Sequence, residues 1–262
     1  MIFLLLGAAS VVSLVAFKLI PSLVKRNGWL CLLWHDRIHI YLRDRLTGSS
    51  QPERVLACVL ETATRGDPQS VLDAVDRFCN TVEWAMNVGD EKGLILDRIV
   101  SEVDPGLVLE LGTYCGYSTV RIARLLKPGA RLYTVEFNPD FAKLARQIIS
   151  YAGVEDQVEL LVGSSWDLIP ELRKKFDIEK LDFVFLDHWK ESYTHDTKLL
   201  EVTSYELLRP GTVLLADNVT CPGAPEYLQY IRRNPRYRSE YLPSHLEYTQ
   251  APDGLEKSVF LG

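Results

Sequence analysis

The chain has 262 residues, enough for one large α/β domain and short for two, and its 47% hydrophobic and 24% charged shares are those of a folded globular protein. A formal net charge of −6 offers no basic face to nucleic-acid phosphates and is more compatible with a small neutral or cationic ligand. The five cysteines, Cys31, Cys58, Cys79, Cys115 and Cys221, are scattered with no Cys-x-x-Cys pair. They support neither a zinc site nor a redox pair, and they fit a reducing compartment.

Ile2 to Phe17 is an apolar run whose only hydroxyls are Ser10 and Ser13. Extended through Leu19 and Ile20, it approaches the roughly 20 residues that span a bilayer as a helix. Lys18, Lys25, Arg26 and Arg37 follow it, and no charged side chain precedes it. That asymmetry predicts a single-pass membrane anchor over 1–24 with the C-terminal bulk in the cytosol. A cleaved signal peptide is the alternative, although the run lacks a basic start and a small-x-small cleavage site. Residues 25–52 are expected to be a juxtamembrane segment and linker, with Trp29 and Trp34 suited to the interface and a polar exit from Thr47 to Pro52. His35 and His39 share one helix face but have no third metal ligand nearby, so a membrane-near amphipathic helix accounts for them.

The region 53–262 reads as one domain. Apolar residues recur at helical spacing over 53–65, over 70–80 (Val71, Leu72, Val75, Phe78) and over 91–103. Short buried-strand runs then alternate with helical stretches: Leu107–Leu111, Arg131–Val135, Val158–Val162, Leu181–Leu186 and Thr212–Ala216. Such alternation predicts a parallel sheet covered on both faces. Tyr241–Thr249 and Lys257–Leu261, separated by an expected Asp253-Gly254 turn, read as a closing hairpin at one sheet edge.

Ligands of open parallel sheets sit beyond the carboxyl ends of the strands, and the motifs fall there. After the first strand comes Glu110-Leu111-Gly112-Thr113-Tyr114-Cys115-Gly116-Tyr117-Ser118. Its glycines are spaced G-x-x-x-G, so the dinucleotide fingerprint G-x-G-x-x-G is absent, and no lysine follows to form a phosphate loop. Glu136, ending the second strand, can accept hydrogen bonds from two ribose hydroxyls. Together these suggest an adenosyl ligand without phosphates, although each feature alone also fits a tight turn or a solvated strand end.

Asp187-His188-Trp189-Lys190 ends the fourth strand and Asp217-Asn218 ends the next. Adjacent strands lie about 4.8 Å apart, so two carboxylates and an amide oxygen can converge as a hard, oxygen-only set suited to Mg²⁺. The plain alternative is three strand-end caps. A divalent cation nearby disfavours a second positive charge, which makes Lys190 a candidate base, with His188 the other candidate.

These blocks resemble the catechol O-methyltransferase family. So do Trp84-Ala85-Met86-Asn87-Val88-Gly89-Asp90, Cys221-Pro222-Gly223-Ala224-Pro225, Leu246-Glu247-Tyr248 and Asp253-Gly254-Leu255-Glu256-Lys257. The likeness runs over about residues 50–262, in register apart from a small extension near Ser204-Tyr205, and the leading apolar run resembles the family's membrane-bound form. It implies a Rossmann-like class I methyltransferase fold: a seven-stranded, mostly parallel sheet with helices on both faces and a reversed terminal hairpin, preceded here by one transmembrane helix. It implies that Met86, Val88, Gly112, Tyr114 and Ser118 line the methionine and sugar of S-adenosylmethionine, with Glu110 at its amino-acid end and Glu136 at its ribose. Ser165 and Trp166 would border the adenine, with Phe137, His188 and Trp189 beside it, and Gly163, Ser164 and Asp187 would complete the donor-binding set. Asp187, Asp217 and Asn218 would hold Mg²⁺. Lys190 would be the base and Glu247 would hold the second hydroxyl of a small catechol, of the catecholamine or catechol oestrogen type. Trp84, Trp189 and Pro222 would wall the ring, and Asp187, Lys190 and Asn218 would also face the acceptor. Trp166 stands where the family has a polar glutamine and Phe137 where it has a smaller aliphatic residue, so adenine contacts are expected to differ.

A magnesium-dependent methyltransferase for other vicinal diols or larger phenols is the nearest alternative, and two readings from other classes are weaker on the same residues. A catalytically idle membrane adaptor has no chemical need for Asp187, Lys190, Asp217, Asn218 and Glu247 together. A nicotinamide-dependent oxidoreductase needs a different glycine spacing and a Tyr-x-x-x-Lys pair, which Tyr193 with Thr197 does not provide.

Overall fold

The computed structural model describes residues 26–202, 205 and 207–262, and of Asp36 and Arg37 the backbone alone. The predicted anchor over 1–24, Lys25 and the expected extension at Ser204 lie outside the described residues. Among the described residues no helix is long and apolar enough to cross a membrane.

Helix α1 (Gly28–Trp34) continues through a π-helical stretch (His35–His39) into α2 (Ile40–Thr47), which ends at Gly48 in a left-handed conformation. Cys31, Leu32, His35 and His39 are buried, whereas Trp29, Leu33, Tyr41 and Leu46 are exposed. Three longer helices follow: α3 (Gln51–Thr62), α4 (Pro68–Thr81) and α5 (Asp90–Val103). Their starts are written locally. Ser50 and Glu53 form a reciprocal capping box on α3, and Asp67 caps α4 just ahead of Pro68, whose missing N–H is no loss in a first turn.

The sheet contains β1 (Leu107–Leu111), β2 (Arg131–Glu136), β3 (Val158–Val162), β4 (Phe183–Leu186), β5 (Val213–Ala216), β6 (Tyr237–His245) and β7 (Pro252–Phe260), in the order β3-β2-β1-β4-β5-β7-β6. The first five strands are parallel, and β7 runs antiparallel between β5 and β6. Helices α6 (Tyr117–Ala123), α7 (Pro139–Ala152), α8 (Ser165–Leu168), α9 (Leu172–Phe176), α10 (Tyr193–Leu200) and α11 (Pro225–Arg233) connect them. The period of two along each strand divides the interior. Val108, Phe183, Phe185, Val213 and Leu215 face one core, and Leu109, Leu111, Val184, Leu186 and Leu214 face the other. Chain order reverses between β1 and β4, so the ends of these strands open the crevice in which such sheets bind ligands.

The terminal hairpin differs from the sequence expectation. Asp253 and Gly254 lie inside β7, paired with Ser244 and Pro243, and the chain reverses between His245 and Pro252. An Asp-Gly pair favours turns, but here tertiary contacts prevail. Asp253 is buried and accepts the Thr220 and Cys221 N–H groups, and Gly254 has no side chain because the Tyr241 ring lies against it.

Candidate active site

At the end expected to take the donor, β1 delivers Glu110 and then Gly112. Gly112 has φ +100°, and a Cβ there would collide with the Asp187 carbonyl oxygen, so only glycine lets the β1 and β4 loops touch. Glu110 is fully buried; Oε2 accepts from Thr119 at 2.5 Å and Thr134 at 2.6 Å, while Oε1 is buried with no partner. Burial pushes its carboxyl up to about 7, opposed by the Thr119 and Thr134 hydrogen bonds and by the nearby Ser118 hydroxyl. A ligand ammonium would satisfy the orphaned oxygen.

Glu136 accepts the backbone N–H groups of Tyr114 at 2.7 Å and Asn138 at 2.8 Å, and burial raises its carboxyl while those bonds oppose the shift. Val88 and Ser118 are buried, Met86 and Tyr114 half-buried. Gly163 has φ +152°, Ser164 caps α8 by accepting the Trp166 N–H, and Ser165 opens that helix. Three aromatic rings stand in the open around this end: Phe137 at 78% exposure, Trp189 at 72% and Trp166 at 54%. Trp166 lies against His195, with ring centroids 5.2 Å apart.

His188, one candidate base, has its Nε2 2.7 Å from Asp196 and its Nδ1 buried without a partner. Lys190, the other, donates from Nζ to Asp187 Oδ1 at 3.0 Å and to the Tyr193 hydroxyl at 2.7 Å. The Tyr193 hydroxyl donates in turn to the Leu186 carbonyl at 2.7 Å, so it offers Lys190 a lone pair. The geometry therefore puts Lys190, not His188, on the Asp187 carboxylate.

Asp217 is fully buried, with Oδ1 accepting the Asn218 N–H at 2.7 Å and Oδ2 buried without a partner. Asn218 sits at φ +53°, which asparagine tolerates, and its amide nitrogen donates to Asp253 at 3.0 Å and Glu247 at 3.3 Å. The amide oxygen is the end left for a cation. Among the described residues no three His, Cys, Asp or Glu side chains gather as a metal cluster. The expected set holds only two carboxylates and takes its third oxygen from an amide. An oxygen-only set with an orphaned, buried carboxylate oxygen fits a hard cation such as Mg²⁺.

The residues expected to wall the acceptor come from distant segments. Trp84 is buried and donates its indole N–H to the Glu247 carbonyl at 2.6 Å. Pro222 follows a cis peptide bond after Cys221 and is half-buried. The lead-in helices also reach this wall. His35 meets the Trp84 ring edge-on at 4.4 Å, and Gln51 joins His35, Glu83 and the Trp84 carbonyl. Gly28 lies so close to the Cys221 sulfur that a Cβ would clash.

Sequence reasoning missed Lys92 and Asp253. Lys92 is 1% exposed, with its ammonium 2.8 Å from Asp217, 2.8 Å from Asp253 and 3.1 Å from Glu247. Burial alone would strip its proton, but the three carboxylates overcome this and hold the ammonium well above the ordinary lysine range. Burial likewise raises Glu247 and Asp217, and Lys92 opposes both shifts. The missed signal was its position: Lys92 shares the buried stripe of α5 with Leu96, Ile99 and Val100, where a lysine needs a partner.

The sheet order and the ligand crevice define a class I methyltransferase fold. A sequence profile described as O-methyltransferase matches residues 62–226. Zebrafish (Danio rerio) catechol O-methyltransferase B is 62% identical over 98% of this chain and 97% of its own length. Mouse (Mus musculus) catechol O-methyltransferase is 50% identical over 99% and 97%. Among solved structures, an O-methyltransferase from Bacillus cereus in complex with SAH superposes with a TM-score of 0.63 at 26% identity, covering 74% of this chain and 90% of that one. The chain belongs to the O-methyltransferase family.

Proposed function

We infer that this protein is a catechol O-methyltransferase, which moves the methyl group of S-adenosylmethionine onto one hydroxyl of a small catechol. The observation that carries the chemistry is the pairing of Lys190 with Asp187, beside an Asp217 carboxylate that keeps one buried oxygen unpartnered.

Glu110 would hold the donor's ammonium through Oε1, Glu136 would take its ribose hydroxyls, and Met86, Val88, Gly112, Tyr114 and Ser118 would line the methionine and sugar. Gly163, Ser164, Ser165 and Trp166 would border the adenine, with Phe137, His188 and Trp189 beside it. The donor supplies a methyl group already activated by a positive sulfur. Asp187, Asp217 and Asn218 would hold Mg²⁺, which when bound supplies a Lewis acid that orients and acidifies a hydroxyl. Lys190, fixed by Asp187 and the Tyr193 hydroxyl, would accept the hydroxyl proton, and Glu247 would hold the second hydroxyl. Trp84, Trp189 and Pro222 would fix the ring plane, so that alignment supplies much of the rate.

The test is transfer of labelled methyl to a catechol panel by the full chain. Activity that needs Mg²⁺ and is abolished by EDTA supports the assignment, and transfer untouched by EDTA refutes the metal's part in it. We further propose a single-pass membrane anchor over 1–24 with the domain in the cytosol, supported by the apolar run from Ile2 to Phe17 and the basic residues after it. Release of the full chain from membranes by alkaline carbonate would contradict the anchor.

A further inference from the structure

We propose that Lys92 is a positioning residue: a fixed internal cation that ties the carboxylate on the metal side to the carboxylate on the acceptor side. This rests on the function inferred above. Lys92 enters from α5, Asp217 from the end of β5, Glu247 from the hairpin turn and Asp253 from β7. An ammonium has three N–H donors, and three carboxylates surround this one at 2.8, 2.8 and 3.1 Å.

The division of oxygens gives the lysine its direction. Lys92 takes Oδ1 of Asp217 and Oε2 of Glu247. The other oxygen of each, Oδ2 of Asp217 and Oε1 of Glu247, is buried with no partner. Asn218 donates its backbone N–H to the same Asp217 oxygen and its amide to the same Glu247 oxygen, so the cation and Asn218 together fix which oxygen of each acid is left for a ligand. The same acids hold Asn218, whose amide nitrogen bonds Asp253 and Glu247, so the orientation of the amide oxygen also depends on the cation that gathers them. Gly89 allows the close approach: its φ is +71°, and a Cβ there would stand 2.6 Å from the Glu247 Cβ. A lysine that merely relieved buried charge would need no such split between bound and unpartnered oxygens.

The experiment is calorimetric titration of Mg²⁺, and then of 4-nitrocatechol, into the full chain saturated with S-adenosylhomocysteine, for wild type, Lys92→Met and Lys92→Arg. Lys92→Met is expected to weaken both Mg²⁺ and nitrocatechol at least tenfold, Lys92→Arg to recover part of each loss, and S-adenosylhomocysteine affinity to stay within twofold. A folded Lys92→Met protein with wild-type Mg²⁺ and nitrocatechol affinities overturns the proposal. Should Lys92→Met not fold, a crystal structure of the wild type with both ligands decides. Oδ1 of Asp217 and Oε2 of Glu247 should remain on Lys92 while Oδ2 and Oε1 turn to metal and catechol, and the opposite assignment overturns it. If wild type takes up neither Mg²⁺ nor nitrocatechol, the catechol function falls and this role with it. If wild type binds both and the variants match it, the role of Lys92 alone is refuted.

Discussion

Glu110 accepts hydrogen bonds from Thr119 and Thr134 through one oxygen and keeps the other buried and unpartnered. Between the ordinary value of 4.5 and about 7, the donor-free folded protein binds a proton that the unfolded chain has released. Its stability therefore falls as pH rises through that window. An ammonium-bearing donor needs the carboxylate, so donor affinity should fall as pH drops through about 7. Glu110→Gln is expected to flatten that profile, to weaken donor binding about tenfold, and to raise the melting temperature of the donor-free protein above pH 7. An unchanged pH profile of donor affinity would show that the ammonium binds elsewhere. Lys190 calls for a different measurement. Lys190→Met keeps the length of the side chain and removes its basic atom, so turnover should drop about a hundredfold or more with donor affinity preserved. Wild-type turnover in that variant would exclude this amine as the base.

At the scale of elements, the parallel strands were legible because each is a short, largely apolar run, and four of the five carry a chemically distinctive residue at or beside the carboxyl end: Glu110, Glu136, Asp187, Asp217. The hairpin was misplaced at Asp253-Gly254, whose local preference for a turn yields to burial against Lys92 and the Tyr241 ring. The cluster of Lys92, Asp217, Glu247 and Asp253 was illegible because no sequence spacing encodes it. It exists only once α5 packs beside the terminal hairpin. That packing has a narrow passage at Gly89, the residue before α5. Gly89→Ala forces a positive-φ, extended conformation on alanine and pushes on Glu247, for about 1–3 kcal/mol of strain. The KM for catechol should rise while the KM for donor holds, and a matched rise in both would point to general loosening instead.

For the whole molecule, the lead-in from Gly28 to Thr47 is folded onto the domain, with Cys31, Leu32, His35 and His39 buried. A fragment beginning near Ser50 therefore removes His35 from the Trp84 ring and Gly28 from the Cys221 loop, whereas one beginning at Arg26 retains both. The shorter fragment should bind catechol several-fold more weakly than the longer one, with equal donor affinity. Equal catechol affinity would mean that the lead-in only decorates the domain.

The edge-on contact of His35 with Trp84 makes this more than a question of where to cut. The lead-in reaches the domain through the Trp84 ring, so this segment and the proposed acceptor wall are packed as one unit. Without that segment, the proposed acceptor cleft would keep its floor and lose a buttress.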